Sequence, residues 1–210
     1  MRSIEMCRVL TIDFDIVMAP TINLYNDLVG DNKGINAIIK KYPTLEQALI
    51  ADFFIYAVLL QELTRHFKYI PADKVHFIKE HHSIVPIIEK IDAPVDLVNI
   101  DFHHDTGYGI STYTRIERPD CGNWVKYLKD KGLLRSYVWV NDIEGSEMPF
   151  VKGIVDFTVP IQQCKFHNFE PFDHLVICHS PQWIPQIYEG LYIGWFNIAT
   201  EHYGKTFTEE

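Results

Sequence analysis

The sequence predicts an α/β protein, a three-layer α/β/α arrangement around a mainly parallel sheet. Three observations carry that prediction. Short β-rich runs alternate along the chain with helical segments. Several of the runs are apolar throughout, as strands covered on both faces are. The densest charge sits just after such runs, at the carboxyl ends of strands, where open α/β sheets bind ligands.

In chain order, residues 8–14 (RVLTIDF) form the first buried strand. Residues 45–67 read as a helix starting at Pro43 or Thr44, and the apolar stretch 51–60 (ADFFIYAVLL) is its buried face. A strand at 75–78 leads to a helix over 83–90, and the strand 95–101 runs into a loop over 106–112. A helix over 123–131 is closed by Gly132. Strands follow at 137–140 (YVWV), more weakly at 155–159, and at 175–178 (LVIC). A last helix spans 181–196, with Ser180 as N-cap and Pro181 at its first position. No internal repeat or low-complexity linker interrupts the 210 residues, which read as one domain, 1–210.

Composition narrows the function. The chain is 47% hydrophobic with a formal charge of −9, which argues against nucleic acid and favours a cationic small molecule or peptide. Four cysteines (Cys7, Cys121, Cys164, Cys178) show no CxxC spacing, so neither a zinc knuckle nor a redox pair is indicated, and reduced thiols suit a cytoplasmic protein. No apolar run reaches the 18 or so residues of a membrane span, and the start lacks a signal-peptide core. No oligomeric state is read from the sequence. GxxxxGK[ST], GxGxxG after a strand and GxSxG are all absent.

Three clusters carry the chemistry. In "VNIDFHHDTG" a strand ends in Asp101, His103 and Asp105; in extended chain these share a face while Phe102 and His104 point away. Carboxylates so close repel, and one must protonate unless a cation lies between them. In "LTIDFDIVMAP", Asp13 and Asp15 follow another apolar strand. In "KEHHSIVPII", Glu80, His81, His82 and Ser83 open a helix. Each alone also reads as a solvated loop, a pair of capping aspartates or a helix-start histidine. Together they supply His82, Asp101, His103, Asp105, Asp13 and Asp15. That oxygen-and-nitrogen set, without thiolate, suits a pair of hard divalent ions.

These residues resemble the metal motifs of the arginase or ureohydrolase superfamily: a histidine in a DHS-like turn ("HHS"), DxHxD ("DFHHD") and DxD before a proline ("DFDIVMAP"). In that superfamily DxD comes last, whereas here it comes first, which implies a permuted arginase-like chain. With "CGNW" and "VICHSPQWIP", the chain is most similar to the small peptide arginases that convert arginine residues of a ribosomally made precursor peptide to ornithine. The resemblance implies two Mn2+ ions. His82, Asp101, Asp105 and Asp13 would hold one and His103, Asp15, Asp101 and Asp13 the other, with Asp101 and Asp13 bridging.

The expected function is therefore a dinuclear manganese hydrolase releasing urea from an arginine-containing precursor peptide. A single domain has few loops to clasp a free amino acid, which favours the peptide. Hydrolysis of a free guanidino compound, metal-dependent deacetylation and a non-catalytic, metal-stabilised peptide-binding module are the alternatives. The proton donor for the leaving amine is not fixed by motif. His104 and His179 are candidates, each also readable as a packed or backbone-bonded histidine. Asn123 can orient substrate, and Glu80 can grip the guanidinium or merely favour a helix start. Trp195 and Tyr203 read as core-facing, with a peptide groove as the alternative.

Overall fold

The computed structural model describes residues 6–19, 50–107, 113–141, 153–169 and 171–209. Strand β1 (Cys7–Asp13) runs into a 3-10 turn (Phe14–Val17) and the short β2 (Met18–Ala19), which pairs with β3 (Ile50–Ala51). Helix α1 (Phe53–Phe67) is followed by β4 (Val75–Ile78), a 3-10 turn (His81–Ile84), α2 (Val85–Glu89) and β5 (Val95–Ile100). Then come α3 (Trp124–Asp130), β6 (Leu134–Asn141), β7 (Phe157–Pro160), β8 (His174–Cys178) and α4 (Glu189–Tyr203).

Among the described residues, six strands form one sheet in the order β4-β8-β1-β5-β6-β7, and every pairing in it is parallel. Alternation along these strands feeds two cores. Leu10, Ile12, Val98, Ile100, Leu175 and Ile177 pack with Leu59, Leu63 and Trp195 beneath α1 and α4. Val9, Leu97, Trp139 and Val176 pack with Ile88, Trp124 and Leu128 beneath α2 and α3. The expected three-layer α/β/α fold is the one found. The first strand in the chain lies in the middle of the sheet, with later strands added on both sides, so the order reverses around β1. That reversal opens a crevice at the strands' carboxyl ends.

Some boundaries differ from expectation. Helix α1 begins at Phe53, not in the forties, because the strand β3 and then Asp52 precede it. The Asp52 carboxylate accepts the backbone N–H groups of Phe54 and Ile55 and is the cap. Pro43, Thr44 and residues 45–49 lie outside the described residues, as does 108–112 of the expected loop. Within the apolar stretch 51–60, Phe53 and Phe54 are exposed while Ile55 and Leu59 are buried, so only one face is core.

The last helix starts at Glu189 rather than at Pro181, and residues 181–184 form a turn. Ser180 does not cap it; its φ is +49°, left-handed, and its hydroxyl is engaged elsewhere. Trp195 and Tyr203 take the core-facing reading rather than the groove alternative. Trp195 is fully buried, stacked near Tyr56, and the Tyr203 hydroxyl donates to the carbonyls of Phe67 and Ile70, tying α4 to the end of α1. All four thiols are free. Among the described residues no helix is long and apolar enough to cross a membrane.

Candidate metal centre

The centre is built by strand parity. Thr11 of β1 and Asn99 of β5 are register partners, in line with Val9 and Leu97 on the α2/α3 face. Asp13 and Asp101 follow each of them by two residues, so both carboxylates emerge on that same face at the carboxyl ends of adjacent strands. There they meet the turn that opens α2, which brings His81, and the start of α3, which brings Trp124.

His81 Nδ1 lies 3.2 Å from Asp13 Oδ2, 3.0 Å from Asp101 Oδ2 and 3.2 Å from Asp105 Oδ2. All four side chains are buried. Nδ1 nevertheless makes no hydrogen bond, and neither does the buried Oδ1 of Asp15. Beside this cluster, His103 Nδ1 lies 2.9 Å from Asp15 Oδ2 and 3.9 Å from Asp101 Oδ1. Asp13, His81 and Asp101 thus offer ligand atoms within 4.8 Å of one another, and Asp15, Asp101 and His103 do the same, with Asp101 common to both groups.

These residues fit divalent cations. Ligand atoms at right angles about an ion with bonds of roughly 2.1 Å stand about 3.0 Å apart, which is the spacing found around His81. The donor set is oxygen and imidazole nitrogen, and the unpartnered Nδ1 of His81 faces into it.

An outer ring holds each ligand in place. Thr11 Oγ1 lies 3.0 Å from His81 Nε2, which leaves Nδ1 facing the carboxylates. Ser180 donates to Asp13 Oδ2 at 2.7 Å, Asn99 to Asp101 Oδ2 at 3.1 Å and Trp124 Nε1 to Asp105 Oδ2 at 2.6 Å. Trp139 Nε1 donates to the Asp101 carbonyl, and Tyr137 to that of His104.

The electrostatics are those of a crowded acidic site. Burial, with the charges of Asp13 and Asp101, pushes Asp15 up to about 7; burial, with Asp105 and Asp13, pushes Asp101 up to about 7. Burial also acts to raise Asp13, but the adjoining His81 ring with its charge and the hydrogen bond from Ser180 prevail and hold it below the usual carboxylate range. Burial disfavours the charged form of both histidines, yet the carboxylates outweigh it. His81 is raised well above its ordinary value by Asp101, Asp105 and Asp13, and His103 is raised to about 9, chiefly by Asp15. Without an ion, protons do the neutralising.

Compared with models of protein families, with curated proteins and with solved structures, the chain has no match.

Five of the six expected metal ligands come together: Asp13, Asp15, Asp101, His103 and Asp105. The sixth is corrected. His81, not His82, faces the aspartates, while His82 Nδ1 lies 3.3 Å from Cys121 Sγ. In a 3-10 turn successive residues diverge by about 120°, so neighbouring histidines cannot both face the cluster, and nothing in "EHHS" says which one does. The Asp101/His103/Asp105 face is found, though not through extended chain. β5 stops at Ile100, and Asp105 takes a left-handed φ of +51° that turns its carboxylate inward.

The other expected residues are placed as follows. His104 is fully buried, with Nδ1 accepting from the Thr106 N–H and its ring against Trp139; burial and His103 lower it to about 4. It is neutral at pH 7 and cannot serve as the acid. Asn123 is buried and its Oδ1 accepts the Asp120 N–H, so it braces a turn rather than facing a cleft. His179 Nδ1 lies 3.0 Å from Glu209 Oε1, its ring stacks on Tyr192, and its buried Nε2 has no partner. Glu80 accepts from Cys121 Sγ and Gln182 Nε2, and caps nothing.

Sequence reasoning missed Thr11, Asn99, Ser180 and Trp124. The first two carry a legible signal: each is the one polar residue among the four that precede a strand-end aspartate, VLTI before Asp13 and LVNI before Asp101.

Proposed function

We propose that this chain is a dinuclear metal hydrolase that converts arginine residues of a peptide to ornithine with release of urea, manganese being the metal. The observation that carries the reading is the arrangement of three carboxylate oxygens at 3.0–3.2 Å around one imidazole nitrogen, His81 Nδ1, beside a second group that shares Asp101. Asp13, His81, Asp101 and Asp105 would hold one ion, and Asp15, Asp101 and His103 the other. A guanidinium stays protonated at any ordinary pH and is a poor electrophile; paired divalent ions supply a water acidified toward neutral pH and hold it in line.

The chain's own residues do the rest. Thr11, Asn99, Ser180 and Trp124 fix the ligands, so the carboxylates need not reorganise during reaction. Of the two candidate histidines, His179 is the one suited to hand a proton to the leaving amine. Glu209 holds its Nδ1, Nε2 is left without a partner, and its neighbour Ser180 bonds to Asp13. The resemblance of the metal motifs to ureohydrolases supports the guanidino substrate, and the net charge of −9 supports a cationic peptide.

The deciding experiment incubates the purified protein, loaded with manganese, with an arginine peptide, free arginine, agmatine and an acetyl-lysine peptide. The reading expects urea and a peptide shortened by the elements CN2H2 per site, with kcat/KM at least tenfold above free arginine, about 1.4 kcal/mol in transition-state binding. Better turnover of free arginine or agmatine would remove the peptide from the reading. Acetate release without urea would make the protein a deacetylase, and metal binding with no turnover of any substrate would make it a binding module.

A further inference from the structure

A third group of ligands stands next to the acidic centre and shares no residue with it. Glu80, His82 and Cys121 each offer a ligand atom within 4.8 Å of the others, and all three side chains are half-buried. Cys121 Sγ lies 3.3 Å from His82 Nδ1 and donates to Glu80 Oε2 at 3.1 Å.

The chemistry differs from that of the aspartate cluster. One sulfur, one imidazole nitrogen and one carboxylate oxygen converge, and a thiolate selects borderline-soft ions where an all-carboxylate set selects hard ones. Three protein ligands with a fourth position open is the pattern of tetrahedral zinc sites that admit water or another ligand. With Zn–S near 2.3 Å and Zn–N or Zn–O near 2.0–2.1 Å, tetrahedral ligand atoms stand about 3.5 Å apart. The two separations at Cys121 Sγ, 3.3 Å to His82 and 3.1 Å to Glu80, are within a few tenths of an ångström of that, and all three ligand atoms lie within 4.8 Å of one another. An outer partner is present as well: Gln182 Nε2 donates to Glu80 Oε2 at 2.6 Å and fixes the carboxylate from a third segment of the chain.

Position gives the site its consequence. Glu80 and His82 flank His81 in the turn that opens α2, and Cys121 lies three residues before Trp124 at the start of α3. These are the two elements that deliver His81 and the Asp105 partner Trp124 to the acidic centre.

We propose that Glu80, His82 and Cys121 form a separate site for a borderline-soft divalent ion of the zinc class, which clamps the His81 turn to the start of α3. The proposal does not rest on the arginine reading and needs only these three side chains. An ion bound there holds His81 and Trp124 in place and so tightens manganese binding next door.

Cobalt(II) is the probe, because a cobalt–thiolate bond gives an intense near-ultraviolet charge-transfer band that carboxylate and imidazole ligands do not. The full-length, metal-stripped protein is titrated with cobalt, and zinc affinity is measured in competition with a chromophoric chelator. The expected result is a thiolate band that saturates at one equivalent, persists in Asp101→Asn and disappears in Cys121→Ser. His82→Gln and Glu80→Gln, which keep the thiol, are expected to weaken zinc binding at least tenfold; they decide the matter even if Cys121→Ser fails to fold. Absence of the band in the folded wild type, its survival in Cys121→Ser, or unchanged zinc affinity in both His82→Gln and Glu80→Gln would overturn the proposal. Failure of the arginine reading is seen separately, as absent urea release with the cobalt band intact.

Discussion

His81 is enclosed in the centre at both ring nitrogens and on its ring face. Its Nε2 is beside Thr11, its ring packs on Trp124 at 4.7 Å, and three carboxylate oxygens surround Nδ1. We expect His81→Ala, which removes a ligand itself, to lower manganese affinity by at least the roughly 10–100-fold that losing an outer partner of a ligand costs, while His82→Ala still takes up two manganese equivalents. Metal analysis after gel filtration of both variants checks this, and the reverse result would restore His82 as the ligand. Ser180 is informative in another way, since its hydroxyl supports Asp13 from a left-handed backbone that costs a non-glycine residue about 1 kcal/mol. Ser180→Gly and Ser180→Ala should weaken manganese equally, with Ser180→Gly the more stable of the two by thermal melting. A larger metal defect in only one of them would show that the hydroxyl is not what matters. His174, by contrast, lies far from the centre, at the start of β8, with its ring stacked on His76. Burial, with Lys74 and His76, lowers it to about 4. An unfolded histidine titrates near 6.5, so between pH 6.5 and 4 the unfolded chain binds the extra proton. Stability falls as the pH drops through that window and is unaffected by this group above it. His174→Gln should flatten that fall, read as melting temperature against pH in the metal-free protein.

At the scale of elements, the centre depends on where strands and helices begin and stop. β1 delivers Asp13 as its final residue, and β5 ends one residue before Asp101. The helix starts opposite supply His81 and Trp124. Helix α1 takes no part in the site; it covers the other face through Ile55, Leu59, Leu63 and Phe67. Its start depends on Asp52, whose carboxylate accepts two backbone N–H groups. Asp52→Ala should therefore cost about 1 kcal/mol of stability by denaturant melting and leave manganese content unchanged. A simultaneous loss of metal would mean that the two faces of the sheet are coupled through β1.

Over the whole described molecule, six parallel strands, the central ones buried on both faces and β7 an exposed edge, form a platform with an acidic crevice at its carboxyl edge. Without an ion that crevice takes up protons: burial and the neighbouring carboxylates drive Asp15 and Asp101 up toward neutral pH. An ion that binds the folded state alone stabilises it by about 2.7 kcal/mol at a hundredfold excess over Kd. We expect the melting temperature to climb with manganese concentration and the rise to be abolished in Asp101→Ala, whose metal-free form melts no lower than that of the wild type because a crowded charge is gone. A manganese-independent melting temperature in the wild type would exclude a metal centre.

The sequence by itself determined the layer order and the place of the site. Both follow from local rules: runs apolar on every residue demand cover on both faces, and charge that follows such a run must lie at a strand's end. Asp13, Asp15, Asp101, His103 and Asp105 were legible because each falls within two residues of another ligand, where parity along the chain is enough to group them. Tertiary structure decided the rest. The choice of His81 over His82 depends on a 3-10 turn whose rotation no periodicity records. Ser180 reaches Asp13 across 167 positions of sequence, and Trp124 reaches Asp105 only because α3 starts against the crevice. Glu80, His82 and Cys121 meet for the same reason: two turns distant in the chain are packed side by side, and distance in space, which sequence spacing does not encode, is what makes them a group.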